Sequence, residues 1–186
     1  TRCRSCTPSM PGERRWRIEH AQIVDPADIP RFKQLGVIAS IQPTHATSDK
    51  AMPEDRNGPE RIKGGYAWKT LVNSGARIAG GSDFPVEAAN PFYGLHAAVT
   101  RQDRDGQPPK GWYANEALTL QQAFAAFTTG AAYAGQQERA VGTLTPGKWA
   151  DFILVDGDIF KMPVGDIWKV KVMETWLAGK RVYTRD

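Results

Sequence analysis

The chain has 186 residues, the length of one domain or slightly more, with 41% hydrophobic and 24% charged residues. That balance excludes a disordered or fibrous chain. The densest apolar run, Phe152-Ile153-Leu154-Val155, is far shorter than the roughly 18 residues a membrane-spanning helix needs, so no span is expected. Lys and Arg number 24 against 20 Asp and Glu, a net charge of +4. Five of the positive charges (Arg2, Arg4, Arg14, Arg15, Arg17) lie at the start of the chain, opposed there only by Glu13, so the remainder is neutral.

Residues 1–14 read as an irregular basic arm. Cys3 and Cys6 form a lone Cys-x-x-Cys. Pro8, Pro11 and Gly12 follow too closely for the helix a redox motif requires, and no second Cys pair exists for a zinc ribbon. Residues 1–15 also lack the apolar core of a secretory signal; the location stays open, with the cytoplasm only as the default, because a preceding segment would carry any signal.

Trp16 to Glu19 is predicted as a short strand ending at His20. Asp25-Pro26 then opens a helix, with Asp25 as N-cap, an apolar stripe of Ile29, Phe32 and Leu35, and Gly36 as its stop. Val37 to Ile41 has the length and composition of a buried strand, closed by Gln42-Pro43. The polar stretch Thr44 to Asn57 reads as a functional loop or lid. A second helix is predicted from Pro59 to Ser74, with Ile62, Trp68, Leu71 and Val72 inward and Gly75 as its stop. Arg77 to Gly81 is a third strand, ending in Ser82-Asp83.

Strand and helix thus alternate, which argues for a parallel sheet with right-handed crossovers. Two βα units between His20 and Asp83 take about 31 residues each, the same as one unit of a (β/α)8 barrel of about 250 residues. The chain is too short for eight units. It reads as a piece of a barrel over residues 15–135.

A helix follows over Phe92 to Thr100, then a surface loop from Asp103 to Gly111. Thr119 begins the clearest helix, with Gln122 completing a capping box and Leu120, Phe124, Phe127 and Ala131 marking one face. From 136 to 186 the pattern changes to strands: Asp151 to Val155, Lys171 to Leu177 and Arg181 to Tyr183, with Ala178-Gly179-Lys180 as a tight turn.

His20 and Asp83 each sit at the C-terminal end of a predicted parallel strand, the face where barrel enzymes collect their catalytic groups. A neutral imidazole and a carboxylate can share a divalent cation, and a carboxylate beside it can take a proton from water. His96 falls inside a helix and reads as packing. Glu19 alternates with His20 along its strand and reads as structural.

Arg17-Ile18-Glu19-His20-Ala21-Gln22, Gln42-Pro43-Thr44-His45 and Gly80-Gly81-Ser82-Asp83-Phe84-Pro85-Val86-Glu87 occur in the order seen in metal-dependent amidohydrolases. Asn90-Pro91, Ala97-Ala98-Val99-Thr100-Arg101, Gly142-Thr143-Leu144, Pro146-Gly147-Lys148 and Ala150-Asp151 extend the match over about residues 15 to 184. The chain resembles amidohydrolase family 3, which includes the N-substituted formamide deformylases.

The resemblance implies an α/β fold: the C-terminal part of a (β/α)8 TIM barrel, about strands 6–8, followed by strands of a small composite β-sandwich. It implies hydrolysis of a non-peptide C–N bond in a small amide or formamide by metal-activated water. His20 and Asp83 map to metal ligands, with zinc the expected ion, and Asp83 also maps to the general base. His45 would polarise the substrate carbonyl or orient a neighbouring group, and Phe84 would contribute to the substrate wall.

The family's remaining ligands, a first-strand His-x-His, a mid-barrel Glu or modified Lys and a fifth-strand His, should precede His20. Only 19 residues do, and the chain has three His in all. The metal site is therefore expected to be incomplete here, because catalytic zinc normally has three protein ligands. The expectation is a C-terminal portion of a larger enzyme, inactive alone. Its open sheet edges would be covered in a homo-oligomer or by the missing N-terminal part of the same enzyme. The alternative is a non-catalytic interaction or oligomerisation fragment. Nucleic-acid binding through the arginines would show a steep salt dependence and is not expected.

Overall fold

The computed structural model describes residues 14–186. Cys3, Cys6 and nearly all of the basic arm lie outside the described residues. Two three-stranded sheets organise the rest. Strands β1 (Arg17–Glu19), β2 (Ile38–Ile41) and β3 (Arg77–Gly80) pair in the order β1-β2-β3, both pairs parallel. Strands β4 (Phe152–Val155), β5 (Val172–Leu177) and β6 (Lys180–Thr184) form an antiparallel meander.

Helix α1 (Ile29–Leu35) connects β1 to β2. Its N-cap is Asp28; Asp25 instead accepts a hydrogen bond from the Ala27 amide at 2.9 Å, bending the chain before the helix starts. That corrects the expected cap, and the reason is local: a short Asp side chain satisfies a nearby amide as readily in a turn as in a helix. Gly36, at φ 64°, adopts the left-handed stop its position predicts. Ile29 and Phe32 are buried as expected, whereas Leu35 is exposed.

The polar stretch after β2 is helical, not the expected loop. Pro43–Ser48 is α2 and Ala51–Arg61 is α3, the latter broken at Gly58 (φ 69°, ψ 175°). Pro43 stands in the first turn of α2, where its missing N–H is harmless and its φ already suits a helix. The single helix predicted over 59–74 is interrupted as well: a 3-10 turn at Ile62–Gly64 and an extended link precede α4 (Trp68–Asn73). The link pairs with the chain beyond His20, through Val24 N to Gly64 O at 2.9 Å and Tyr66 N to Gln22 O at 2.8 Å. Only glycine fits at 64, because a Cβ there would lie 1.7 Å from the Val24 carbonyl oxygen.

Helix α5 (Pro91–Thr100) follows β3, capped by the Asn90 side chain, which accepts from Phe92 N at 3.0 Å. Thr119 and Gln122 form the expected capping box on α6 (Leu120–Ala125), which runs through a π-helical Ala126–Gly130 into α7 (Ala131–Ala134). Its buried face is Ala123, Ala126 and Ala132; Phe124 is partly exposed with its ring edge-on to Phe160, and Leu120, Phe127 and Ala131 are half-buried. Within α6 itself the buried position is Ala123 and not Phe124; the π-helical segment, wider than 3.6 residues per turn, then carries the buried face to Ala132 and not Ala131. Phe127 still wedges against β3 and α5: a Cβ on Gly80 or Gly94 would come within 2.7 or 2.5 Å of its ring.

The core lies on both sides of β2 and gathers Ala39, Ile41, Trp68, Leu71, Phe92, Leu95 and Ala98. Arg101, fully buried at the end of α5, links three aromatics. It donates Nε to Trp112 O (2.8 Å) and Nη1 to Tyr66 O (3.1 Å), and its guanidinium lies 4.4 Å over the Trp68 ring. Burial lowers its pKa to about 10, with Glu116 and Tyr66 opposing the shift. No strand precedes β4 within 136–151, and a 3-10 segment, Val164–Lys169, packs its buried Ile167 near α5. Among the described residues the C-terminal part is thus one sheet with an attached turn, and the second layer of a sandwich is not within it. No helix among the described residues is long and apolar enough to cross a membrane.

Candidate metal centre

Because β1, β2 and β3 are parallel and in register, with Glu19 opposite Ser40 and Ile41 opposite Gly80, their C-terminal ends lie side by side. His20 leaves β1 there. His45 lies in the first turn of α2, a few residues beyond β2, and Asp83 follows β3. One donor atom from each of His20, His45 and Asp83 falls within 4.8 Å of the others. The imidazoles of His20 and His45 stack, with centroids 5.7 Å apart.

The backbone is bent to achieve this. His20 (φ 68°), Ala21 (φ 41°) and Asp83 (φ 59°) all occupy the left-handed region, which non-glycine residues visit at a cost. Such conformations cluster where a side chain must be aimed. His20 turns out of its strand into a segment held by the Gly64–Tyr66 link. A second set of bonds fastens that segment to the end of α2: Gln22 Nε2 donates to Asp49 Oδ2 at 3.0 Å and to the Tyr66 hydroxyl, and Tyr66 itself donates to Asp49 Oδ2 at 3.0 Å. Burial, reinforced by the Asp49 carboxylate, pushes the Tyr66 phenol well above its ordinary pKa, so it remains a donor. On the other side, Ser48 Oγ donates to Glu87 Oε1 at 2.6 Å, fastening α2 to the loop after Asp83.

The donor set fits a divalent cation. His45 is buried, and its Nε2 has no hydrogen-bond partner among the described residues. It lies 3.9 Å from Asp83 Oδ2, too far for a hydrogen bond. His20 Nδ1 is 2.9 Å from Gln42 Oε1, so Nε2 is the ring atom left for another partner. Two imidazoles and a carboxylate suit zinc. Four donors around zinc at about 2.1 Å stand roughly 3.4 Å apart, so this group is slightly open and would close by small side-chain adjustments.

Phe84 is 68% exposed on the turn after Asp83, at the rim of the same end of the sheet. Glu19 is tied to Arg17 and Ser40 instead of joining the group; the Ser40 hydrogen bond chiefly, then Arg17, lowers its pKa. His96 is buried in α5, where burial lowers its pKa below the ordinary histidine value. Gln42, Asp49 and Tyr66 acquire their places only here: Gln42 was visible as part of a motif, but nothing in the spacing pairs its side chain with residue 20.

The chain is similar to several proteins of known sequence or structure. The chain is similar to an uncharacterized metal-dependent hydrolase from Pyrococcus horikoshii OT3, with a TM-score of 0.70 and 33% identity, over 80% of this chain and 30% of that one. The sequence profile described as "Amidohydrolase family" matches residues 7–183, and the chain belongs to that family. Among curated relatives, Protein LONG AFTER FAR-RED 3 of Arabidopsis thaliana is 36% identical over 92% of this chain and 29% of its own length. N-substituted formamide deformylase of Arthrobacter pascens is 25% identical over 91% of this chain and 31% of its own. The chain spans about a third of the length of these relatives.

Proposed function

We propose that this chain is the C-terminal, site-bearing portion of a metal-dependent hydrolase of non-peptide carbon–nitrogen bonds, with a small amide or N-substituted formamide as substrate. In this reading β1, β2 and β3 are strands 6–8 of a (β/α)8 barrel within residues 15–135, and residues 136–186 contribute to a composite β-sandwich. The convergence of His20, His45 and Asp83 at one end of the parallel sheet supports it most directly.

Zinc, held by His20 and Asp83, would supply the Lewis acidity that makes water nucleophilic and polarises a carbonyl. Asp83 would accept the proton from the attacking water. Of the three groups that could hold the ion, His45 is kept for substrate in this reading: its Nε2, unpartnered among the described residues, would carry the ring proton and donate it in a hydrogen bond to the substrate carbonyl oxygen as negative charge grows there. Phe84 supplies an apolar wall at the rim. An open groove of about 620 Å³ beside β1, lined by His20, Ile23, Phe32 and Val37 among others, is the space we assign to the remaining barrel elements or, in their place, a second copy of the chain. Trp16 (66% exposed) and Ile18 (48%) present apolar surface at that same edge.

Calorimetric zinc titration of the chain with His20→Ala and Asp83→Asn tests this reading. Each variant is expected to weaken binding at least about 10-fold, and affinity unchanged in both would overturn the assignment. In the full-length enzyme, Asp83→Asn is expected to lower kcat for formamide hydrolysis by about 10²–10⁴.

A further inference from the structure

Gln42 is nearly buried at the start of α2, yet α2 gains no side-chain cap from it. A glutamine placed there has given up water, and what it obtains in return is His20: its Oε1 lies 2.9 Å from the imidazole Nδ1. An amide oxygen only accepts hydrogen bonds, so the proton of this contact belongs to Nδ1. A neutral imidazole has one N–H, which leaves Nε2 with a bare lone pair. Among the described residues Nε2 is the ring nitrogen with no hydrogen-bond partner, on the residue that converges with His45 and Asp83.

We infer that Gln42 is a positioning residue that fixes His20 as its Nδ1–H tautomer and thereby presents Nε2 as a ligand atom. The inference rests on the metal-centre reading above and adds what sets the ligand's protonation. A histidine that binds metal through one nitrogen usually donates its other N–H to a fixed acceptor, and that acceptor determines the tautomer and the ring plane. Here the acceptor is a neutral amide, so the ring is oriented without a second negative charge beside Asp83. The left-handed backbone at His20 aims the side chain, and Gln42 supplies the rotational stop.

The test is long-range ¹H–¹⁵N correlation on the metal-free chain labelled with ¹⁵N-histidine, which has only three histidines to assign. Wild type is expected to show His20 as Nδ1–H. Gln42→Leu, which keeps the bulk and removes the acceptor, should shift it to Nε2–H or a mixture; Gln42→Glu should retain Nδ1–H. Zinc affinity should fall about 10–100-fold in Gln42→Leu and recover substantially in Gln42→Glu. The wild-type spectrum is decisive without any variant: an Nε2–H tautomer for His20 overturns the inference. So does a Gln42→Leu variant with unchanged tautomer and affinity. A wild type that ignores added zinc while its His20 tautomer still depends on Gln42 supports the positioning role and overturns the metal reading instead.

Discussion

The two sheets use similar residues to different ends. Strand β2 reads Ile38-Ala39-Ser40-Ile41, and its three apolar residues are buried, because strands flank it on both edges and helices cover it. The meander is as rich in apolar residues, yet Ile153, Leu154, Leu177, Val182 and Tyr183 are all substantially exposed. A sheet buries a face only where a second layer lies against it, and here the meander is a single layer over most of its area. The parallel layer therefore has a core that can bend the backbone at its strand ends to aim His20 and Asp83. The meander contributes surface. Strain persists where surrounding packing or bonding over-determines it; the meander holds one left-handed residue too, Ala178 (φ 49°), at its turn, where the amide donates to Asp151 Oδ1 at 2.6 Å.

Substitutions can break or sharpen this contrast. The largest effect is expected from Arg101→Ala, which leaves the carbonyls of Trp112 and Tyr66 without their donors and opens a hole beside Trp68; urea unfolding should show a loss of about 3–5 kcal/mol. Next is Ile41→Ala at the centre of the parallel layer, with an expected cost of about 2–4 kcal/mol from lost transfer energy and residual cavity.

A smaller effect should follow pH. The unfolded chain protonates His96 near its ordinary pKa of 6.5, while burial in α5 lowers the folded value, with Asp103 only partly opposing it. The unfolded state thus binds more protons as pH falls through and below 6.5, so stability attributable to this residue is present above that pH and lost below it. His96→Phe should flatten the pH dependence of unfolding between 7.5 and 5.5. The smallest change is expected for Val182→Ala, within about 0.5 kcal/mol, because the side chain is already largely in water. A cost matching that of Ile41→Ala would show that the meander is covered in solution and that the contrast is false.

The alternation of strand and helix was legible from period and punctuation, and so were the Gly36 stop, the Thr119–Gln122 box and the strand-end positions of His20 and Asp83. The stretch 44–57 misled because polar composition does not separate a surface helix from a loop; Pro43 in a first turn was the available signal. The broken helix over 59–74 misled for another reason. Its interruption follows from pairing between Gln22–Val24 and Gly64–Tyr66, partners some 40 residues apart.

By itself the chain determined the order of its six strands, the parallel character of its first sheet and the residue types that converge, because these follow from local propensity, turn chemistry and hydrophobic period. Only the tertiary structure decided that His45 Nε2 is buried without a partner among the described residues, that Gln42 meets His20, and that the second sheet stays half-exposed. Those outcomes depend on which distant surfaces come together, and periodicity along a chain carries no information about the neighbour across the gap.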